Sequence, residues 1–315
     1  MKKILIGYPL NKYKEFENIL QKLSAEYSLT IKDYDLKWLK DNISEFDILI
    51  PSLKVVVDDN IIEKAERLFL VFTPTTGSDH IKFAQKGKSI KVLNLNDFKD
   101  EIDSINSTAE LSFSLLLSVA RKACLANNQV INDCLWDRNN FLGKELNNKI
   151  MGIIGMGRIG RKLALYGQAF GMEIVYWDKV ENSKFRFISE LNQLLSISDF
   201  IVLSISLNDS TYHLVNLENI EHIKKDSILI NTSRGKVIEE ESLCYALDNG
   251  ILSGVGVDVL EYELEDFKTS PLYKYAKNNP QKNIIFTPHI GGATIEAWEK
   301  VFTLVFNEIQ KGIAI

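Results

Sequence analysis

Short apolar runs alternate with amphipathic stretches along almost the whole chain. The first series of runs occupies positions 3–8, 29–32, 46–50, 68–72 and 90–93. Runs of this length read as buried strands, and the amphipathic stretches between them read as helices. Phe16, Ile19, Leu20, Leu23 and Tyr27, for example, recur at the spacing of one helix face. A polar segment, 94–106, then leads into a long helix, for which Ser107 and Glu110 have the spacing of a capping box with Ser107 as N-cap. That makes Glu110 a cap rather than a catalytic acid. A second series begins at Ile150 and continues through 174–177, 200–204, 227–230, 252–257 and 284–286. Gly171 and Gly250 fall where helices should end. A last helix, from Thr294 to about Gln310, is expected to return and pack on the first series. Strand and helix in alternation, twice over, predict an α/β protein with two doubly wound parallel sheets.

Composition narrows the class. At 315 residues the chain exceeds the usual limit of one core, so two domains are expected. Lys and Arg number 37 against 42 Asp and Glu, a net charge of −5 that argues against nucleic acid or an anionic membrane as partner. The longest strongly apolar run, 111–120, is broken by serines and is too short to span a bilayer. Met1, Lys2 and Lys3 resemble the start of a signal peptide, but Ile4–Leu5–Ile6 meets Gly7 and Pro9 too soon, and the segment reads as a first strand. Cys124, Cys134 and Cys244 show neither paired spacing nor a Cys/His cluster, which suits a reducing cytoplasm and no metal.

The richest single motif follows the strand at Ile150. Gly155-Met156-Gly157-Arg158-Ile159-Gly160 has the G-x-G-x-x-G pattern of a dinucleotide-binding turn. Gly155 permits the tight turn, Gly157 lets a pyrophosphate approach the backbone, and Gly160 lets the helix pack against the strand. Arg158 and Ile159 open the helix whose free N–H groups would receive the phosphates. The pattern alone is weak, but here a strand precedes it and a second strand ends in an acid, Asp178, eighteen residues after Gly160. Asp178 would bond the ribose hydroxyls and repel a 2′-phosphate, favouring NAD over NADP.

Ligands of an open parallel sheet bind beyond the carboxyl ends of its strands. Asn231-Thr232-Ser233-Arg234-Gly235, Asp258 through Glu263, and Thr287-Pro288-His289-Ile290-Gly291-Gly292 all occupy such places. A histidine, acids and an arginine at neighbouring strand ends suit a site that moves a proton and holds an anionic ligand. Histidine exchanges protons near neutrality, and a neighbouring carboxylate favours the imidazolium and fixes the ring. Arginine offers a planar fork to a carboxylate. Of the four histidines, His222 reads as solvated on a polar helical stretch, His213 as a loop residue and His80 as a helix start after the Gly77-Ser78-Asp79 turn. Trp136 and Arg138 read as structural.

At these residues the chain resembles the D-isomer-specific 2-hydroxyacid dehydrogenases, most closely their phosphoglycerate-dehydrogenase-like branch. The likeness rests on Trp136-Asp137-Arg138, Gly143 through Leu146, the glycine turn and the three segments above, and spans nearly the whole chain. It implies a Rossmann-type cofactor domain, 104–289, inserted into a flavodoxin-like substrate domain, 1–103 with 290–315. By resemblance Arg234 binds the substrate carboxylate and carbonyl, His289 exchanges the proton, and Glu263, five positions beyond Asp258, pairs with it in preference to Glu261. Asp258 would contact the nicotinamide end of NAD, with Thr232, Ser233 and Gly291 also on the cofactor. Ser52, Thr76 and Gly77 would meet the substrate. The family usually dimerises through the long helix that here follows Ser107.

Departures from the family pattern bear on the substrate. Pro51 stands where phosphoglycerate-specific members carry a phosphate-gripping arginine beside the serine matching Ser52, with Lys54 the nearest replacement. Thr75 replaces the usual first glycine of the substrate loop, and Ser204 and Ser206 replace a common His-x-Pro. The segment 179–187 is short, and no regulatory domain is expected after the last helix. The reading is an NAD-dependent oxidoreductase acting between a small D-2-hydroxy acid and its 2-oxo acid. Alternatives are an NAD-binding corepressor-like regulator and a formate- or phosphite-type dehydrogenase of the same fold, though formate dehydrogenases carry glutamine where Glu263 stands.

Overall fold

The structure is a computed structural model that describes residues 1–84 and 89–311. It divides into two compact units, Met1–Ile105 with Ala293–Ile315, and Asn106–Gly292. Positions 312–315, the end of the expected substrate domain, lie outside the described residues.

In the first unit, β1 (Lys2–Ile6), β2 (Tyr27–Ile31), β3 (Ile48–Ile50), β5 (Leu70–Phe72) and β7 (Lys91–Leu93) form one sheet in the order β2-β1-β3-β5-β7. Every pairing is parallel, and the order is the flavodoxin-like one. A small parallel ribbon joins β4 (Val57–Asp58) to β6 (Ile81–Lys82). The strands read as continuous apolar runs because helices cover both faces, yet the pleat divides them cleanly. Ile4, Ile6, Ile48, Ile50, Leu70 and Phe72 enter one core, while Leu5, Leu49 and Val71 enter the other. The helix Ile295–Gln310, capped by the Thr294 side chain, presents Val301, Phe302, Val305, Phe306 and Ile309 to the first of these cores. Burying each such side chain contributes roughly 1.5–3 kcal/mol. A charge at position 302, whose ring is 1 % exposed, would detach the helix.

In the second unit, β8 (Ile150–Ile154), β9 (Glu173–Trp177), β10 (Arg186–Phe187), β11 (Phe200–Leu203), β12 (Ser227–Asn231), β13 (Leu252–Val257) and β14 (Ile284–Phe286) form a parallel sheet. Its order is β10-β9-β8-β11-β12-β13-β14, with the chain reversing direction of growth between β8 and β11. That is the doubly wound Rossmann arrangement. Phe200 and Val202 point into the core under the helices Ser107–Ala120 and Arg158–Ala169, and Ile201 and Leu203 into the opposite one. The helices Arg158–Ala169 and Glu240–Asp248 end just before Gly171 and Gly250, which take φ of +74° and +64°.

Four local expectations are corrected. Ser107 is the first residue of its helix rather than the cap. The N-cap is Asn106, whose side-chain oxygen is engaged by Lys162 at 2.7 Å, and the capping box with Glu110 does not form. Tyr27 follows the helix Glu17–Glu26 and opens β2. No helix begins at His80, which is buried and precedes β6. Trp136 is 91 % exposed and cannot serve the packing of its own chain. Among the described residues no helix is long and apolar enough to cross a membrane.

Candidate active site

The glycine turn sits at the carboxyl end of β8, beside the switch point. Gly155 takes φ of +95°, and its N–H donates to the Trp177 carbonyl at 2.8 Å, tying the turn to β9. A Cβ on Gly160 would lie 2.2 Å from the Gly155 carbonyl oxygen, so the helix approaches the strand as only glycine allows. Gly157 caps that helix, and a Cβ there would meet nothing within 4 Å. Open space at the N-terminus of a twelve-residue helix, with Arg158 and Ile159 in its first turn, fits a pyrophosphate. The Ser204 hydroxyl donates to the Gly155 carbonyl at 2.6 Å, so the serine that departs from the family pattern braces this turn.

Asp178 follows β9. Its carboxylate accepts from the Met156 N–H at 2.9 Å, the Lys179 N–H at 2.7 Å and the Asn182 carboxamide at 3.2 Å. The buried Tyr176 hydroxyl accepts from the Asn182 and Ser183 N–H groups at 2.9 and 3.1 Å. The short segment after β9 is thus folded back over its own strand, with the Asp178 carboxylate held against the glycine turn.

Arg234 lies in the turn after β12. Asn231, 1 % exposed, organises that turn: its side-chain oxygen accepts from the Ser233 N–H at 2.9 Å and hydroxyl at 2.7 Å, and its amide donates to the Arg234 carbonyl at 3.0 Å. The Arg234 guanidinium donates to the Ser233 carbonyl at 2.8 Å. The Thr232 hydroxyl makes a short bond with Ser112 of the helix Ser107–Ala120. A Cβ on Gly235 would lie 2.0 Å from the Leu260 carbonyl carbon, so the arginine's turn is pressed against the segment after β13.

That segment carries the acids, and the one after β14 carries the histidine. His289 Nδ1 lies 2.8 Å from Glu263 Oε1, both half-buried. His289 occupies the left-handed region at φ +53°, a conformation that costs a non-glycine residue about 1 kcal/mol or more. Asp258 holds it there. Its carbonyl accepts from the His289 N–H at 2.8 Å, and its carboxylate accepts from Thr287, the Ile290 N–H at 2.9 Å and the Gly291 N–H at 2.8 Å. Burial pushes the Asp258 carboxyl above the usual carboxylate range, although those donors and His289 pull it the other way. Thr108 fixes Gly291 from the helix side at 3.1 Å. The second candidate acid, Glu261, pairs instead with His213 at 3.1 Å. His213 is in a turn, and His222 is exposed at the end of a short 3₁₀ segment.

The sheet therefore brings Arg234, Asp258, Glu263 and His289 to the ends of three adjacent strands, in the unit that also holds the glycine turn and Asp178. Ser52, Thr76 and Gly77 belong to the other unit, after β3 and β5. Ser52 is buried. Thr75 anchors the loop that follows, donating to the Gly77 carbonyl at 2.6 Å and contacting the Thr73 hydroxyl at 2.9 Å. His80 Nε2 lies 2.9 Å from that same Thr73 oxygen. The Thr76 carbonyl accepts from Asn96. Lys54 is bound to both carboxylate oxygens of Asp33, at 2.8 and 2.6 Å. Asn231, Ser204 and Thr287 lie within segments singled out in the sequence, but the sequence assigned none of them a role in the site. A buried asparagine closing an apolar strand was the one available signal.

A parallel sheet of this order with an open glycine turn after its first strand is a dinucleotide-binding domain. Residues 113–291 match the family described as D-isomer specific 2-hydroxyacid dehydrogenase, NAD binding domain. The chain is 34 % identical over 290 residues to a glyoxylate reductase of Pyrococcus horikoshii, covering 88 % of this chain and 83 % of that one. It is also 34 % identical over 280 residues to a D-3-phosphoglycerate dehydrogenase of Methanocaldococcus jannaschii, covering 87 % of this chain and 51 % of that longer one. The D-lactate dehydrogenase of Aquifex aeolicus, solved with NAD and lactic acid, superposes with a TM-score of 0.81 at 27 % identity, covering 98 % and 94 % of the two chains. The chain belongs to the D-isomer-specific 2-hydroxyacid dehydrogenase family, and NAD is its cofactor.

Proposed function

We propose that this enzyme interconverts a small unphosphorylated 2-oxo acid and its D-2-hydroxy acid, with His289 as the proton donor and Glu263 as its partner. The observation that carries the reading is the 2.8 Å bond between Glu263 and His289 Nδ1, at the same sheet edge as Arg234. With Nδ1 given to the carboxylate, the ring has Nε2 left to hold and release the proton at the substrate oxygen. Arg234 orients the substrate through its carboxylate, and Asp258 keeps the histidine's backbone in place. Bound NADH supplies the hydride. Gly155, Gly157, Arg158, Ile159, Gly160, Asp178, Thr232, Ser233, Asp258 and Gly291 would hold the cofactor. Ser52, Thr76 and Gly77, from the substrate domain, would meet the acid.

Two features favour an unphosphorylated substrate. Pro51 offers no donor to a phosphate, and both carboxylate oxygens of Asp33 already engage Lys54. The glyoxylate reductase and D-lactate dehydrogenase relatives are named for acids of this kind. The test is a panel of glyoxylate, pyruvate, hydroxypyruvate and 3-phosphohydroxypyruvate with NADH, followed by loss of nicotinamide absorbance. At least one unphosphorylated acid should exceed the phosphorylated one in kcat/KM. Preference for 3-phosphohydroxypyruvate over all of them overturns the substrate assignment. We further assign the enzyme to the cytoplasm as a homodimer. Supporting the latter is the exposed apolar surface of Ile131, Leu135, Trp136 and Leu142, beyond the helix Ser107–Ala120.

A further inference from the structure

The geometry points to Glu240 as a positioning residue for the Glu263–His289 pair, an inference that rests on reading that pair as the proton-transfer machinery. Glu240 is 3 % exposed, at the start of the helix Glu240–Asp248. A buried carboxylate persists only where donors replace its lost water. One oxygen accepts from the Glu261 N–H at 2.8 Å. The other accepts from the Leu272 N–H at 3.1 Å and from the Ser270 hydroxyl in a short bond.

The first of these bonds reaches the catalytic pair. The Leu260–Glu261 peptide is held by Glu240 and closely approached by Gly235, where a Cβ would lie 2.3 Å from the Glu261 nitrogen. Leu260, at the near end of that peptide, donates its N–H to Glu263 Oε2 at 3.2 Å. Glu263 Oε1 is then the atom that meets His289. Glu240 thus fixes the Leu260–Glu261 peptide, whose carbonyl accepts from the Glu263 N–H at 3.4 Å; the preceding peptide's N–H holds one carboxylate oxygen of Glu263, and the other oxygen meets the imidazole. The glycine packed against this peptide follows Arg234, so the same close packing ties the acid's segment to the residue assigned to the substrate carboxylate. The bonds to Ser270 and Leu272 serve a separate purpose, anchoring the start of the helix Pro271–Asn278. A purely structural Glu240 would act through these alone.

The two roles separate in the full-length enzyme, assayed with NADH and glyoxylate, or with whichever acid of the panel it prefers. Glu240→Ala should lower kcat about tenfold while NADH affinity changes by less than about twofold. It should also shift the alkaline limb of the pH profile toward acid, in the direction of Glu263→Gln but by less, because a loosened carboxylate favours the imidazolium less. Glu240→Gln keeps an acceptor for the Glu261 N–H and should restore most of the kcat and the wild-type limb. Ser270→Ala should lower the melting temperature and leave the pH profile unmoved. If Glu240→Ala does not fold, Glu240→Asp decides, since the shorter side chain cannot span Glu261 and Leu272 and should also move the limb. A wild-type limb in the alanine variant (or in the aspartate variant, where it replaces it), with a shifted limb in Glu263→Gln, overturns the positioning role alone. An unmoved limb in Glu263→Gln overturns the pair itself.

Discussion

Asp258 grips the backbone on both sides of His289, taking the His289 N–H on its carbonyl at 2.8 Å and the Gly291 N–H on its carboxylate at 2.8 Å. A left-handed histidine is thereby held at the end of β14 by a residue at the end of β13. The side chain is aimed by a different residue, Glu263, so backbone and ring are fixed independently.

Loss of the ring and loss of its orientation should therefore differ. His289→Ala removes the proposed proton donor and should lower kcat by about 10²–10⁴. NADH binding, measured by fluorescence titration, should stay near wild type. Glu263→Gln should move the pH optimum for 2-oxo acid reduction toward acid, because the imidazolium loses its anionic partner. Retention of a substantial share of wild-type kcat by His289→Ala ends the assignment.

Asp258→Ala should act on both stability and rate. It strips acceptors from Thr287, Ile290 and Gly291 in a largely buried place, which should cost about 2 kcal/mol or more. The strained φ of His289 would then lose its support, and kcat should fall although no proton-transfer group is touched. Urea unfolding and steady-state kinetics check the two together. A destabilised variant with normal kcat would sink the idea that Asp258 sets the histidine.

Cofactor choice should follow Asp178. Its carboxylate is held against the glycine turn by Met156 and Asn182, where a 2′-phosphate would meet its charge. NADH should exceed NADPH in kcat/KM, and Asp178→Ala should narrow that gap while weakening NADH, since Met156 loses its acceptor. An intrinsic preference for NADPH contradicts this.

What the sequence made legible was local. The strands were readable because both faces of each sheet are covered, so residues such as Phe200–Leu203 stay apolar throughout. The glycine turn was readable because each glycine meets a separate backbone demand. What escaped depends on partners far along the chain. The cap expected at Ser107 failed because the helix begins one residue earlier, with Asn106 as N-cap, and the Asn106 side chain bonds Lys162, a partner 56 residues on that no spacing rule sees. His80 followed a turn pattern, but its bond to Thr73 decides its place. The family spacing from Asp258 selects Glu263 over Glu261, and the two glutamates meet different histidines, Glu263 with His289 and Glu261 with His213. Glu240, the middle one of three consecutive glutamates, had no role in the sequence analysis, yet it is buried where three donors converge on it.

Assembly should run through the segment after the long helix. The helix Ser107–Ala120 spends much of its surface on its own core, with Ala109, Phe113, Leu115, Leu116 and Val119 buried there. The next helix, Ala123–Asn132, buries none of its residues. Ile131 is 68 % exposed, Trp136 91 % and Leu142 84 %. Large apolar side chains gathered in one exposed stretch mark a surface meant to be covered, and a two-fold contact lets one such patch cover its own copy. Sedimentation equilibrium should give a dimer for the wild type. Trp136→Glu combined with Leu142→Glu places two charges in that contact and should give a folded monomer, with an unchanged far-ultraviolet spectrum. A wild type that sediments as a monomer at micromolar concentration removes the proposal, as does a double variant that remains as dimeric as the wild type.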